Sequence, residues 1–178
     1  IDLNILLFNN RIYGLTKGQY SPTSEVGKKT VSTPMGSLDH PFNPPSLALG
    51  SGGTFVARTV DKELKHMGTI VEQSHAHKGT SFVEIYQNCN IFNDGAFSNL
   101  TDKESKFNTR ILLEHNSPML FGPDNTLGLK LSDACFEVID LTKSAPIAEP
   151  PIPHTNIEFI PSLYLRIILD INSLDSIN

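Results

Sequence analysis

The sequence predicts an α/β fold built on a parallel sheet, with β-hairpins appended beyond it. Three observations carry that expectation. Runs at residues 3–8, 54–58 and 81–86 read as strands, the first a nearly continuous apolar run that fits a strand covered on both faces. A helical stretch with one apolar face stands between the second and third runs. Past Tyr86 the runs shorten and alternate with turn residues, the rhythm of hairpins.

The elements follow in order. Residues 3–8 form a strand ended by Asn9 and Asn10. Residues 14–45 lack periodicity and are rich in Gly, Ser, Thr and Pro. About thirty irregular residues inside a domain far exceed the usual loop length and mark a functional loop. Residues 44–49 open a short helix that Gly50-Ser51-Gly52-Gly53 stops. TFVAR (54–58) is the second strand. Asp61 reads as the N-cap of a helix reaching about Lys78, with Leu64, Met67, Ile70 and Val71 on one face. Gly79 stops it, and SFVEIY (81–86) is the third strand, in which Glu84 suggests a paired structural carboxylate. A polar loop covers 87–97. Residues 110–115, 119–121, 127–131 and 136–139 are short hairpin strands. Residues 145–153 carry four prolines and read as an extended connector.

The organisation expected is a sheet domain over residues 1–140, then a Pro-rich connector and atypical tail over 141–178. In the tail, the Ile- and Leu-rich residues 157–178 read most simply as a helical stretch packed on the sheet; a truncated or frame-shifted reading is the other possibility. The chain opens on Ile1 and enters a strand at once, so a fragment is expected.

Composition narrows the function. A chain of 178 residues suits one domain with a real core. With 14 Lys+Arg against 19 Asp+Glu, it lacks the basic face of a nucleic-acid binder. Two cysteines cannot frame a secreted mini-protein and suggest a reducing, cytoplasmic setting. No apolar run approaches the roughly 18 residues of a membrane span, and no signal peptide is visible.

The chemistry concentrates in NNRIYGLTKGQ (9–19), at the carboxyl end of the first strand, where open α/β sheets bind ligands. The Asn10 amide oxygen is a hard neutral ligand suited to Mg²⁺ carrying a polyphosphate. Gly14 and Gly18 permit close backbone approach, and Lys17 places a positive charge beside them. The plainer alternative is a strand end followed by ordinary turns.

A longer pattern bears on that choice. NNRIYGLTKGQYSPTS, STPMGS (32–37), PFNP (41–44), LALG (47–50), TFVAR and HKGTSFVEIYQNCNIFNDGAF (77–97) resemble, in order, the β subunit of 2-oxoacid:ferredoxin oxidoreductases. The resemblance extends over about residues 3–140 and implies part of a thiamine-diphosphate-binding fold. By that resemblance Asn10 ligates Mg²⁺ through its side chain and Ile12 through its backbone carbonyl. Tyr13, Gly14, Leu15 and Thr16 belong to the cofactor loop, and Lys17 is the catalytic residue facing the substrate's oxo-acid end. Cys89 is the last ligand of a [4Fe–4S] cluster in the intact subunit. Such a cluster usually needs four thiolates, and Cys135, in the apolar run ACFEVI, reads as core.

The resemblance implies thiamine diphosphate, Mg²⁺ and the cluster as cofactors. It implies an α subunit, ferredoxin, a 2-oxoacid and coenzyme A as partners, and oxidative decarboxylation to acyl-CoA as the activity. The family's Gly-Asp-Gly stretch, whose Asp completes the Mg²⁺ site, has no counterpart in the nine residues before Asn10. The glutamate that activates the aminopyrimidine has no match either. Two rivals remain: a thiamine enzyme without the oxidation step, and a non-catalytic scaffold piece that binds no cofactor by itself. The isolated chain is expected to be incomplete and inactive.

Overall fold

The computed structural model describes residues 1–113, 118–132, 135–143 and 164–170. Strand β1 (Leu3–Asn9) leads through the long loop to helix α1 (Pro44–Gly50), then β2 (Phe55–Val60), α2 (Leu64–Ala76) and β3 (Thr80–Tyr86). Two single-turn helices, α3 (Ser98–Thr101) and α4 (Lys106–Thr109), precede the short strands β4 (Arg110–Leu112) and β5 (Leu120–Phe121). Strands β6 (Leu127–Ser132), β7 (Cys135–Asp140) and β8 (Tyr164–Asp170) complete the described elements.

One sheet has the order β1-β3-β2-β8-β4 and a second the order β5-β6-β7. β3 pairs in parallel with β1 on one side and β2 on the other, and β5, β6 and β7 pair antiparallel. The expected parallel sheet with appended hairpins is therefore present. Each parallel connection consumes a helix, because consecutive parallel strands cannot be joined by a tight turn.

Helix α1 begins with two prolines, which need no intrahelical donor there. The Asn43 side chain caps it, accepting from Ser46 N at 3.3 Å. Helix α2 lays Ile70 and Met67 over β2 and β3, in a core cluster with Phe55, Ala57, Val83 and Ile85. A second cluster joins Ile111 and Leu113 to Met119, Phe121 and Leu129 under the hairpin sheet. A third packs Val60 and Tyr86 against Phe97 and Leu100.

Four expectations are corrected. Asp61 does not cap α2: the helix starts at Leu64, with Glu63 in the cap position making no side-chain cap hydrogen bond. Asp61 instead accepts from Asn88 N at 2.8 Å, bracing the loop after β3. β1 is not covered on both faces: it lies at the edge of the described sheet, with Leu3 50%, Ile5 40% and Phe8 58% exposed. Residues 110–112 are not part of a separate hairpin, because β4 pairs antiparallel with β8 in the main sheet.

The tail is not helical where it is described. Tyr164–Asp170 is a strand that pairs in parallel with β2 and antiparallel with β4. The free edge of β2 offers a row of main-chain donors and acceptors, and pairing satisfies them. The connector at 145–153 and the Cys135 side chain lie outside what is described.

Candidate functional site

The carboxyl ends of β1 and β3 stand side by side, Asn9 opposite Tyr86 in register. The site is built on that pair. Inside the two strands that flank the core, Arg58 of β2 and Glu84 of β3 are register partners. Arg58 Nε donates to Glu84 Oε2 at 2.7 Å, and Asn9 Nδ2 donates to Oε1 at 2.7 Å. Glu84 is fully buried, so both oxygens need these donors. The buried carboxylate thereby pins the last residue of β1.

The turn that follows is made by side chains. Asn9 Oδ1 accepts from Arg11 N at 3.0 Å and Thr23 Oγ1 at 2.7 Å. Asn10 Oδ1 accepts from Ile12 N at 3.1 Å. Two consecutive Asx turns hold Arg11 at φ 54°, a left-handed conformation uncommon for a residue with a side chain. The Arg11 guanidinium lies 5.0 Å from the Tyr86 ring centroid and 4.9 Å from that of Phe97. Those two rings stack at 4.4 Å, and Arg58 lies 4.9 Å from the Tyr86 centroid.

The Lys17 loop is a tight reversal. Tyr13 N donates to the Gln19 carbonyl at 2.8 Å, and Gly18 N to the Tyr13 carbonyl at 3.0 Å. Lys17 and Gly18 both take positive φ, 64° and 98°. Gly18 is required there: a Cβ would lie 3.2 Å from Phe92 Cδ1, on strained backbone. Leu15, Thr16 and Lys17 are exposed at the tip.

A cleft of about 790 Å³ opens beside β1. Ile5, Leu7 and Phe82 line its sheet side, and Leu47 and Ala48 of α1 line the opposite wall. Asn10, Ile12 and Tyr13 reach the same cleft, whereas Gly14, Leu15, Thr16, Lys17 and Cys89 do not line it. Cys89 is half-buried in the loop after β3 and makes no disulfide. Its carbonyl accepts from Asn93 N at 3.0 Å.

Sequence reasoning missed Arg11, Arg58 and Asn93 as members of this site. A signal existed for one of them. TFVAR and SFVEIY each bury one charged residue in an apolar run of like length, and such charges need each other. Among the described residues, no three His, Cys, Asp or Glu side chains gather as a metal site.

Comparison with known proteins identifies the fold first. Residues 1–85 match the model of the thiamine pyrophosphate enzyme C-terminal TPP-binding domain. With the parallel sheet and the asparagine turn at its carboxyl edge, this defines part of a thiamine-diphosphate-binding α/β domain. The chain is 51% identical over 148 residues to the 2-oxoglutarate oxidoreductase subunit KorB of Mycobacterium tuberculosis, covering 83% of this chain and 39% of that protein. It is 43% identical over 94 residues to the 2-oxoacid:ferredoxin oxidoreductase subunit beta of Saccharolobus solfataricus, covering 53% and 31%. A solved 2-oxoglutarate:ferredoxin oxidoreductase from Magnetococcus marinus, with 2-oxoglutarate, coenzyme A and succinyl-CoA bound, matches with a TM-score of 0.52 and 36% identity, over 53% of this chain and 33% of that one. The chain is thus similar to the β subunits of the thiamine-dependent 2-oxoacid:ferredoxin oxidoreductases. It spans 39% and 31% of the length of the two curated relatives named here.

Proposed function

We propose that this chain supplies the Mg²⁺-binding turn and the substrate-facing loop of the thiamine diphosphate site in such an oxidoreductase. The enzyme decarboxylates a 2-oxoacid oxidatively, passes electrons through a [4Fe–4S] cluster to ferredoxin and yields an acyl-CoA. The observation that carries this reading is the Asx turn at Asn10, opening on a cleft at the carboxyl end of a parallel strand.

The donor set fits the cofactor in part. Mg²⁺ takes six oxygens at near-octahedral geometry and commonly keeps water and phosphate among them. Asn10 Oδ1 gives one lone pair to the Ile12 N–H and keeps the other. The Ile12 carbonyl is a second neutral oxygen. The remaining ligands then come from the diphosphate, from water and from groups outside the described residues.

Tyr13 lines that cleft, and Gly14, Leu15 and Thr16 continue from it as the loop that the family resemblance assigns to the cofactor. Lys17 carries its ammonium at the loop tip, where it meets the 2-oxoacid carboxylate. Cys89 provides one of the cluster thiolates and needs its fellow ligands from elsewhere. When bound, thiamine diphosphate supplies the carbanion chemistry; the residues of this chain orient it and set its electrostatics. An α subunit, ferredoxin and coenzyme A complete the assembly, in the cytoplasm. No helix among the described residues is long and apolar enough to cross a membrane. The relatives named for 2-oxoglutarate make that acid the first substrate to assay.

Calorimetric titration of the full chain with thiamine diphosphate and Mg²⁺ tests the reading. Saturable, Mg²⁺-dependent binding that weakens about tenfold in Asn10→Ala, the loss of roughly one oxygen contact, is the expected result. No binding by the unaltered chain would favour the scaffold role instead.

A further inference from the structure

The Cys89 loop and the Asn10–Lys17 turn are far apart in sequence, and one side chain joins them. Asn93 is only 6% exposed, and its amide is used at both ends. Nδ2 donates to the Asn10 carbonyl at 2.9 Å and reaches the Arg11 carbonyl at 3.5 Å. Oδ1 accepts from Lys28 Nζ, which also pairs with Glu25 at 3.1 Å. The amide has one sensible orientation. Turned over, it would set its NH₂ against an ammonium and its oxygen against two carbonyls.

The backbone of the same residue closes the turn that contains Cys89, through the N–H donated to the Cys89 carbonyl. Its neighbour Phe92 packs beneath Gly18. From the other side, Ser24 Oγ donates to the Arg11 carbonyl at 2.6 Å. The carbonyls of Asn10 and Arg11 are thus both claimed by side chains from outside the turn, Asn93 from the Cys89 loop and Ser24 from further along the same loop as the turn. That fixes the peptide planes on either side of the left-handed Arg11, and with them the direction of the Asn10 amide.

We propose that Asn93 is a positioning residue that latches the Cys89 loop onto the Asn10–Lys17 turn and holds the Asn10 side chain in its ligand-binding orientation. What the two loops bind rests on the function proposed above; the latch rests on the contacts of this chain alone. Because one residue closes the Cys89 turn and fastens the Asn10 turn, loosening it frees both together.

Asn93→Asp keeps the shape of the side chain and its acceptor toward Lys28, and replaces the donor with a carboxylate oxygen set against the two carbonyls. Hydrogen exchange on the full chain should show the amides of residues 11–19 exchanging roughly fivefold to tenfold faster, the loss of about one buried hydrogen bond. Peptides covering β2 and β3 should be unchanged. Alkylation of Cys89 by iodoacetamide, read on its own peptide, should accelerate, and the dissociation constant for thiamine diphosphate with Mg²⁺ should rise about tenfold. Unchanged exchange at 11–19 overturns the latch. So does an increase shared equally by β2 and β3, because Asn93 would then serve only global stability. Should Asn93→Asp fail to fold, Lys28→Met replaces it: the donor stays but its orienting cation goes, so the same local pattern should appear at roughly twofold to threefold, and its absence overturns the proposal. An unaltered chain that binds no cofactor, while Asn93→Asp still gives the local exchange pattern, refutes the cofactor reading and leaves the latch standing.

Discussion

β1 and β2 flank the same strand, run the same way and read alike as apolar runs, yet they meet opposite fates. All six residues of β2 are buried, between α2 on one face and strands on both edges. β1 buries only Asn9, its last residue. The difference lies in their neighbours. A central strand gains cover from the helices of its crossovers, whereas an edge strand takes cover only from what is packed beside it. β2 carries the stability of this fold, and β1 delivers a turn to the cleft.

The largest test of that contrast compares two phenylalanines. Phe55 of β2 is 1% exposed and Phe8 of β1 is 58% exposed. Phe55→Ala should cost about 3–5 kcal/mol in urea unfolding, the range for a buried aromatic. Phe8→Ala should cost less than about 1 kcal/mol. Equal losses would break the comparison.

The buried ion pair comes next. Arg58→Met leaves the Glu84 carboxylate fully buried, with only Asn9 as donor. An uncompensated buried charge costs about 3 kcal/mol or more. The double variant Arg58→Met, Glu84→Gln should recover much of that loss, and a double-mutant cycle measures how much.

Lys17 sits on a turn delivered by β1, so its replacement should leave stability nearly untouched. In the assembled enzyme, Lys17→Met removes the charge and keeps the apolar stem. On the role proposed for Lys17, the KM for the 2-oxoacid should rise about ten- to a hundredfold, the loss of a charge-assisted contact of roughly 1.5–3 kcal/mol. Thiamine content should stay the same. Loss of thiamine with an unchanged KM would reassign the lysine to the diphosphate.

The smallest effect concerns Glu63, just after β2, which accepts from Lys106 at 3.0 Å and Arg110 at 2.8 Å. Burial works to raise its carboxyl pKa, but the two cationic donors outweigh it and hold the value below the ordinary 4.5. A group whose folded pKa is lowered stabilises the fold above its unfolded pKa and loses that contribution as pH falls through the folded one. Glu63→Gln should therefore flatten the decline in stability below about pH 5, by no more than about 1 kcal/mol. An unchanged acid limb would show that the pair contributes nothing.

Much of the order of elements was legible, because strands and helices announce themselves in local pattern. Pro44-Pro45 after Asn43 and the apolar face around Ile70 needed no tertiary knowledge. Asp61 misled because a carboxylate ahead of an apolar run looks like a cap, while its actual partner, the Asn88 amide, is supplied by the loop after β3. The tail misled for a similar reason. Ile and Leu satisfy either a helix face or a strand, and only the open edge beside β2 selects the strand. Within the site, Asn10 and Lys17 stood out by residue type and spacing. Asn93 did not, since an asparagine in a polar loop looks like any turn former.

The sequence by itself determined the parallel strands, the helix between β2 and β3, the turn chemistry of Asn9-Asn10 and the family that the chain resembles. These rest on dihedral preference, periodicity and motif, properties of residues close together along the chain. Only the tertiary structure decided which apolar run is buried, set Arg58 and Glu84 opposite each other in register, and tied two distant loops through Asn93. Burial and pairing depend on what lies across the sheet or across a loop, and no local pattern contains that neighbour.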